Sequence, residues 1–340
     1  MTMRLASRIV AATVLGVFLA VPVVALDEWT IEVMAMGSAP GSPAEPQIDV
    51  FPQTAVMLSG VPTSRWTYGC SATSAGMMFG YYDRNLYSNM YTGPSNGGVA
   101  PLSNLGGQCS IIATQSGFDG RSVKGHVDDY WIDYGSAGPD PWEGNWAEHA
   151  WADCTADYMG TNQWKWDFSG DGQKDFNTDG STALFSYGGP TRLYDYTPPA
   201  AAGLPRTALC HGLRLFAESR GYTVLGNYTQ KVDARYAGGF SFADYMAEIA
   251  AGYPVMIQVS GHSMVGVGYE PTGQLVYLHD TWGDYVTSMT WGGSYSDMLH
   301  QAVTVVHMAP VPEPSTLVGL LSAIALVPLA SIRLRKKCSS

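Results

Sequence analysis

The chain of 340 residues is acidic, sparsely charged and rich in glycine. Its formal net charge is −11, only 14% of its residues are charged, and 39 are glycine. A surface this acidic argues against nucleic acid or anionic lipid as a partner, because both carry negative charge. The length allows one sizeable domain or two small ones.

The first 25 residues have the composition of a secretory signal peptide. Arg4 and Arg8 precede the apolar run IVAATVLGVFLAVPVV, which ends close to Ala25. This order of basic, apolar and small residues predicts export through the inner membrane and cleavage near Ala25. The mature protein would then be periplasmic, attached to the cell surface or extracellular.

Residues 26–54 are predicted to form an N-terminal segment and linker. The stretch MGSAPGSPAEPQ within them is rich in proline, glycine and serine and poor in core-forming residues. The main domain is predicted at 55–309. Within it, about 85–200 is punctuated by glycine, proline, asparagine and aspartate, which indicates a long loop-rich insertion with a short helix in WAEHAWADCTADYM.

A buried helix is predicted from Ser71 to Asp83, in the stretch WTYGCSATSAGMMFGYYDR. Its residues are small or apolar nearly all the way round, and no charge occurs before Asp83. This pattern is typical of a helix that is buried on every side. Gly76 and Gly80 share one face, and each costs about 1 kcal/mol relative to alanine. We therefore expect another segment to approach the helix backbone closely there.

Cys70 begins this helix, directly after Gly69. The unpaired N–H groups and the positive end of the helix dipole favour a thiolate at this position and can also hold an oxyanion. Exported proteins usually use cysteines in disulfides. The mature chain would hold four cysteines, an even number that suits two bridges: Cys70, Cys109, Cys154 and Cys210. The residues alone leave both roles open.

An acidic loop in the insertion, DFSGDGQKDFNTDG, has the spacing of a calcium-binding loop. Its six candidate ligands are Asp167, Ser169, Asp171, Gln173, Asp175 and Asp179. The twelfth position is Thr178 instead of the usual bidentate glutamate, so a polar turn without calcium is the alternative. A second acidic cluster is a candidate metal site or a structural polar network: His126, Asp128, Asp129, His149, Asp153 and Asp157.

Helices precede strands in the last third of the domain. Apolar residues recur at helical spacing in RTALCHGLRLFAESRG, and a further helix is predicted at about 241–251. From residue 254 onward, four segments rich in β-branched residues predict strands: PVMIQVS, HSMVGVGYE, QLVYLHD and AVTVVHM. Helices followed by an antiparallel sheet predict an α+β fold.

Residues 310–340 combine a proline-rich start, an apolar run and a basic end. Pro-Glu-Pro at 312–314 precedes about 18 mostly apolar residues, a length that can just cross a bilayer, and four cations follow. The order resembles the PEP-CTERM sorting signal that exosortases of Gram-negative bacteria read. The resemblance implies an exosortase as partner, transient membrane anchoring and cleavage near Pro-Glu-Pro, with a permanent anchor as the alternative. Without both ends, residues 26–312 carry a formal net charge of −16, because six cations and one anion are removed from the total of −11.

One predicted hairpin brings a histidine, a carboxylate and an indole together. With its turn at 271–273, Asp280 lies one diagonal step from His262, and Trp282 lies almost directly across from His262. A thiol nucleophile needs an imidazole as base, and the imidazole needs an orienting partner. This hairpin could supply both to Cys70.

Together these residues resemble a papain-like cysteine peptidase. The matching features are GC at the start of a buried helix, GH before the strand SMVGVGY, and the motif DTWG. They are similar to the bacteriocin-processing, double-glycine-leader branch, the C39-like peptidases, over about 60–85 and 250–292. The resemblance implies a papain-like α+β fold in which the helix headed by the cysteine packs against the sheet carrying the histidine and aspartate. It also implies a nucleophile at Cys70, a general base at His262 and its orienting residue at Asp280, with Gly69 and Trp282 in support.

Two features depart from the papain-like pattern. Ser64 occupies the position, six residues before the cysteine, where these enzymes usually have an oxyanion-binding glutamine. Backbone N–H groups, the remote Gln53 or a loss of activity are the alternatives. His262 follows Cys70 by 192 positions, where roughly 130 to 150 is usual. The extra residues leave the substrate preference open.

The sequence thus predicts a secreted or surface-sorted cysteine peptidase that hydrolyses peptide bonds in peptides or proteins through an acyl-enzyme. This chemistry requires no cofactor, and calcium would be a structural ion. One alternative is a catalytically impaired papain-like surface module that binds exopolysaccharide or protein. A second is a transpeptidase or amidase of the same fold.

Overall fold

The computed structural model describes residues 30–37, 47–66, 69–85, 87–88, 90, 99–104, 111–112, 154–161, 180, 182–197 and 208–309. The predicted signal peptide, sorting tail and calcium loop lie outside these ranges, as do Cys109 and most of the second acidic cluster. Within the ranges, no helix is both long and apolar enough to cross a membrane.

The secondary structure follows the predicted order, with further strands. The described helices are α1 (Cys70–Arg84), α2 (Thr155–Met159), α3 (Leu209–Ser219) and α4 (Phe242–Ala250). The described strands are β1 (Ile31–Met36), β2 (Val56–Met57), β3 (Thr63–Ser64), β4 (Ser103–Asn104), β5 (Thr182–Tyr187), β6 (Leu193–Tyr194), β7 (Val224–Lys231), β8 (Val255–Val259), β9 (His262–Glu270), β10 (Leu275–His279), β11 (Thr287–Thr290), β12 (Ser294–Tyr295) and β13 (Met298–Met308).

The central sheet has the strand order β11-β10-β9-β8-β13-β7-β6, and β2 and β12 pair with β9 and β13. All pairings within it are antiparallel. The four strand segments predicted after residue 254 are confirmed as β8, β9, β10 and β13. The sheet is therefore built mainly from the last third of the domain.

Strand β7 was not predicted, although it lies inside the sheet between β13 and β6. Its segment VLGNYTQK buries polar side chains, among them Asn227 and Thr229. Asn227 Nδ2 donates to the Cys210 carbonyl oxygen at 2.9 Å, and Thr229 Oγ1 lies 3.3 Å from Thr304 Oγ1. Polar residues satisfied in this way remove the apolar pattern by which buried strands are recognised.

The helices cover both faces of the sheet. Helices α1 and α3 share an apolar cluster with Val306, whereas α4 shares another with the neighbouring Val305. Side chains alternate between faces along a strand, so adjacent residues of β13 contribute to opposite layers. The predicted α+β class is confirmed, and α1, headed by Cys70, packs against β9, as the resemblance implied.

Helix α1 confirms the prediction of a helix buried on every side. All of its residues except Arg84 are buried. A Cβ added at Gly76 would lie 2.3 Å from Ile112 Cγ1, and one added at Gly80 would lie 2.9 Å from Pro62 Cγ. The two glycines thus allow the close approach that their helical cost implied.

The N-terminal segment contributes more structure than a linker would. Strand β1 pairs with β5, a partner about 150 positions later, from Ile31 opposite Tyr187 to Met36 opposite Thr182. Gly37 N–H then donates to the Gly261 carbonyl oxygen at 3.1 Å. The described stretch 30–37 therefore ends beside Gly261, the residue that precedes His262.

Candidate active site

Gly69 determines how the chain enters α1. Its backbone φ is +118°, and an added Cβ would lie 2.4 Å from the carbonyl oxygen of Gly180. Any other residue would be strained at this φ and would also collide with backbone, so glycine is required here. No side chain caps the helix at Gly69. The next residue, Cys70, therefore lies in the first turn, where N–H groups lack partners within the helix.

The structure brings Cys70 to the strand that carries His262. The N–H group of Ser263 donates to Cys70 Sγ at 3.3 Å, across 193 positions of sequence. Ser263 directly follows His262, so the sulfur lies against the first two residues of β9. The described cysteines Cys70, Cys154 and Cys210 are all buried, and none of them forms a disulfide with another.

His262 is completely buried. Its Nε2 lies 3.0 Å from the carbonyl oxygen of Asp280, and because a carbonyl oxygen can only accept, Nε2 carries the ring proton. Nδ1 is then the basic nitrogen, and it has no hydrogen-bond partner. Burial lowers the pKa of His262 to about 4, although the bond to Asp280 acts in the opposite direction. The imidazole is consequently neutral near pH 7, as a general base must be.

Trp282 covers one face of the imidazole. The two rings are 4.2 Å apart between centroids and differ by only 4° in orientation. This confirms the hairpin register, in which Leu278 pairs with Gly266 and His279 with Val265. The indole Nε1 of Trp282 is buried without a hydrogen-bond partner. The stacked indole fixes the plane of the ring and excludes water from it.

The carboxylate of Asp280 is completely buried and accepts three hydrogen bonds. The donors are the Trp282 N–H at 2.9 Å, the Tyr285 hydroxyl at 3.1 Å and the Tyr295 hydroxyl at 2.6 Å. Burial and the charge of Asp280 raise the pKa of both tyrosines, so both stay protonated and donate. Asp280 touches His262 through its carbonyl oxygen, where the sequence predicted an orienting carboxylate.

A sharp turn after Asp280 explains this difference. Thr281 has φ +74°, a left-handed conformation that is strained for a β-branched residue. Its carbonyl oxygen accepts from the Trp66 N–H at 2.6 Å, which helps to hold the turn. The Asp280 carboxylate bonds to the backbone of this same turn, while the Asp280 carbonyl oxygen meets the imidazole. The carboxylate thus orients the histidine indirectly.

Ser64, which occupies the position of the usual glutamine, and the remote Gln53 lie in different parts of the fold. Ser64 is buried in β3, and its Oγ lies 3.4 Å from the Arg65 carbonyl oxygen. Gln53 is exposed in a turn, and the neighbouring Thr54 bonds to Glu270 at 2.6 Å. Strand β9 begins at His262 and ends at Glu270. At about 3.3 Å per residue, its two ends are about 26 Å apart. The suggestion that Gln53 supplies the donor is therefore wrong.

Several polar residues around the site were not predicted from the sequence. Tyr285 and Tyr295 hold Asp280, and a buried hydrogen-bonded group lies beside Cys70: Ser71, Gln258 and Ser263. A glutamine in the middle of the apolar strand PVMIQVS was the available signal, because an uncharged polar residue in a buried strand needs a partner.

The comparisons with known proteins concern this same region. Residues 205–303 match the model of the Peptidase_C39 like family. The matched segment contains His262 and Asp280, whereas Cys70 precedes it. This partial match supports the interpretation of the chain as a cysteine peptidase.

One solved structure is also similar. The crystal structure of xylellain, a cysteine protease from Xylella fastidiosa, is 12% identical, with coverage of 82% of this chain and 96% of that chain, at a TM-score of 0.29. No curated protein matches the sequence.

No group of three or more histidine, cysteine, aspartate or glutamate side chains could hold a metal ion within the described ranges. The predicted calcium loop lies outside those ranges. Calcium binding there stays a prediction.

Proposed function

We propose that this protein is a cysteine peptidase that hydrolyses peptide bonds in peptides or proteins. Its catalytic residues would be Cys70 as nucleophile and His262 as base, with Asp280 orienting His262. The observation that carries the proposal is the 3.3 Å contact between the Ser263 N–H and Cys70 Sγ. It brings the start of the cysteine helix to the start of the histidine strand. The family match over 205–303 supports the same chemistry.

The proposed reaction begins with proton transfer from the Cys70 thiol to His262 Nδ1. That nitrogen is the basic one, since Nε2–H is anchored on the Asp280 carbonyl oxygen. The thiolate attacks the peptide carbonyl carbon, and His262 gives its proton to the leaving amine as the C–N bond breaks. The product is a thioester on Cys70. Water then attacks the thioester, and His262 takes the proton from this water as base. His262 returns the proton to the Cys70 sulfur when the carboxylic acid product leaves.

Two features of the site favour this sequence of steps. The first turn of α1 stabilises negative charge on the sulfur, and its N–H groups can receive the oxyanion that forms next. Asp280 and the stacked Trp282 keep the imidazole in one tautomer and one plane. An imidazole held in this way loses little entropy when it transfers a proton.

Access to the sulfur limits the reaction. Cys70 and His262 have no exposed surface. A peptide carbonyl must therefore gain access to a sulfur that is fully buried. We therefore expect small thiol reagents to react faster than bulky ones, and the range of cleaved sequences to be narrow.

The proposal includes export and sorting. Residues 1–25 would direct export, and 310–340 would anchor the protein transiently until an exosortase cleaves near Pro-Glu-Pro. The test is the intact mass of the protein from strains with and without an exosortase. Loss of the tail in both strains alike would overturn the sorting proposal without affecting the peptidase proposal.

One observation favours the impaired surface module as a second candidate. Ser64 stands where papain-like enzymes use glutamine, so one oxyanion donor is missing from the pattern. Loss of a single such donor costs about 10²- to 10³-fold in kcat. Binding of exopolysaccharide by wild-type protein and Cys70→Ala alike, with no cleavage by either, would favour this candidate.

The peptidase proposal is tested by incubating a mixture of peptides with the full chain and with Cys70→Ala. Mass spectrometry then identifies new peptide ends. We expect cleavage only by the wild type, and an added amine should divert the product if the protein is a transpeptidase. Equal cleavage by both proteins would overturn the proposal.

A further inference from the structure

A chain of buried hydrogen bonds links Cys70's helix to the interior of the sheet. Ser71 Oγ lies 2.8 Å from Ser263 Oγ, and Ser263 Oγ donates to Gln258 Oε1 at 2.7 Å. All three side chains are completely buried. Buried polar groups of this kind are costly unless each one is satisfied, so their arrangement is highly constrained.

The direction of this chain follows from the number of protons available. Gln258 Nε2 donates to Thr304 Oγ1 at 3.1 Å, which leaves Oε1 as the acceptor for Ser263. A hydroxyl has a single proton, and Ser263 uses its proton on Gln258. Ser71 must therefore donate to Ser263. With its proton used on Ser263, Ser71 Oγ has none to give Cys70 Sγ, 4.0 Å away, so Ser71 acts on the sulfur only through Ser263.

The same chain fixes the backbone of Ser263. Its hydroxyl is held by Ser71 and Gln258, and its carbonyl oxygen accepts from Ser74 Oγ at 3.1 Å. Its remaining polar group is the N–H that donates to Cys70 Sγ at 3.3 Å. A hydrogen bond to the charged form of a group lowers its pKa, and it does so best when the donor cannot turn away.

We propose that Ser71, Ser263 and Gln258 are positioning residues for the Cys70 thiolate, acting through the backbone N–H of Ser263. The inference rests on the proposed function, because it assigns to these residues the task of stabilising the thiolate that forms when His262 takes the proton of the Cys70 thiol. The three side chains do not touch the substrate. They hold the donor that stabilises the sulfur before substrate arrives.

The experiment measures the rate of Cys70 alkylation by iodoacetamide against pH, in the full chain, with the Cys70 peptide followed by mass spectrometry. The variants are Ser263→Ala and Ser71→Ala, so that one can be read if the other fails to fold. The control is Thr155→Val, which removes the 2.8 Å hydrogen bond from Thr155 to the Ala72 carbonyl oxygen of the same helix. Urea unfolding of each protein reports the loss of stability.

We expect the wild-type thiol to titrate below its ordinary pKa of about 8.5. In Ser263→Ala and Ser71→Ala the pKa should rise by about one unit, which lowers alkylation about tenfold at pH values below the pKa. Thr155→Val should lose stability and keep the wild-type profile. A depressed pKa shared by the wild type and both serine variants would overturn the inference and leave the proposed function intact.

Two further outcomes separate the inference from the function. A variant-sensitive, depressed pKa without any peptide cleavage would support the inference and overturn the proposed function. An ordinary thiol pKa in the wild type, together with peptide cleavage that needs Cys70, would overturn the inference and leave the proposed function intact.

Discussion

Replacing Tyr295 by phenylalanine tests how Asp280 is held. The Tyr295 hydroxyl is completely buried and lies 2.6 Å from the Asp280 carboxylate, whereas Tyr285 is only partly buried and lies 3.1 Å from it. Hydrogen bonds to charged groups contribute about 1.5 to 3 kcal/mol, and an unsatisfied buried charge keeps its full desolvation cost. Water can replace the Tyr285 hydroxyl but not that of Tyr295. Tyr295→Phe should therefore lose about 2 to 3 kcal/mol and Tyr285→Phe about 1 kcal/mol or less.

Urea unfolding of the two variants measures this difference, and kcat/KM for a cleaved peptide measures its effect on the site. Since Asp280 also touches His262, Tyr295→Phe should lower kcat more than it changes KM. Asp280→Asn is the companion variant, and it should resemble Tyr295→Phe in kcat. Equal stability losses in both tyrosine variants, or an unchanged kcat in Tyr295→Phe, would refute the indirect role assigned to the carboxylate.

Three other predictions concern the helix entry, a surface ion pair and the acidic loop. Gly69→Ala should abolish activity and cost about 1 to 3 kcal/mol in urea unfolding, because its φ is +118°; a fully active, equally stable variant would contradict this. Burial would raise the pKa of Asp195, but hydrogen bonds from His211, Asn227 and Arg214 hold it at about 2. That stabilisation is present above pH 4 and is lost as the pH falls towards 2, so the stability gap between wild type and Asp195→Asn should close over this range; a constant gap would contradict it. EDTA should lower the melting temperature, because calcium bound to the loop 167–179 would stabilise the folded protein. An unaffected melting curve would contradict calcium binding at this loop.

Local sequence patterns were sufficient to predict the parts of the site that lie on one helix or one hairpin. The absence of charge between Ser71 and Asp83 indicated a fully buried helix, and Gly76 and Gly80 indicated a close neighbour. The turn at 271–273 determined the hairpin register, and the register alone put Trp282 across from His262. In each case the information lies within about twenty residues of sequence.

Contacts between distant segments could not be predicted in this way. Nothing in IEVMAM identifies β5 as its partner, and the polar strand β7 does not resemble a buried strand. The turn at Thr281 reversed the expected use of Asp280, because a left-handed threonine has no signature in the sequence. The donor at Cys70 Sγ comes from a backbone N–H, which every residue except proline would carry at position 263.

In the proposed mechanism, Cys70 is the nucleophile and His262 activates it. The most direct test of this mechanism is peptide mapping under non-reducing conditions of protein that was quenched with acid during turnover of a peptide ester. The Cys70 peptide of the wild type should carry an acyl group, and that of His262→Ala little or none. A disulfide between Cys70 and another cysteine, or turnover that leaves Cys70 unmodified, would contradict it.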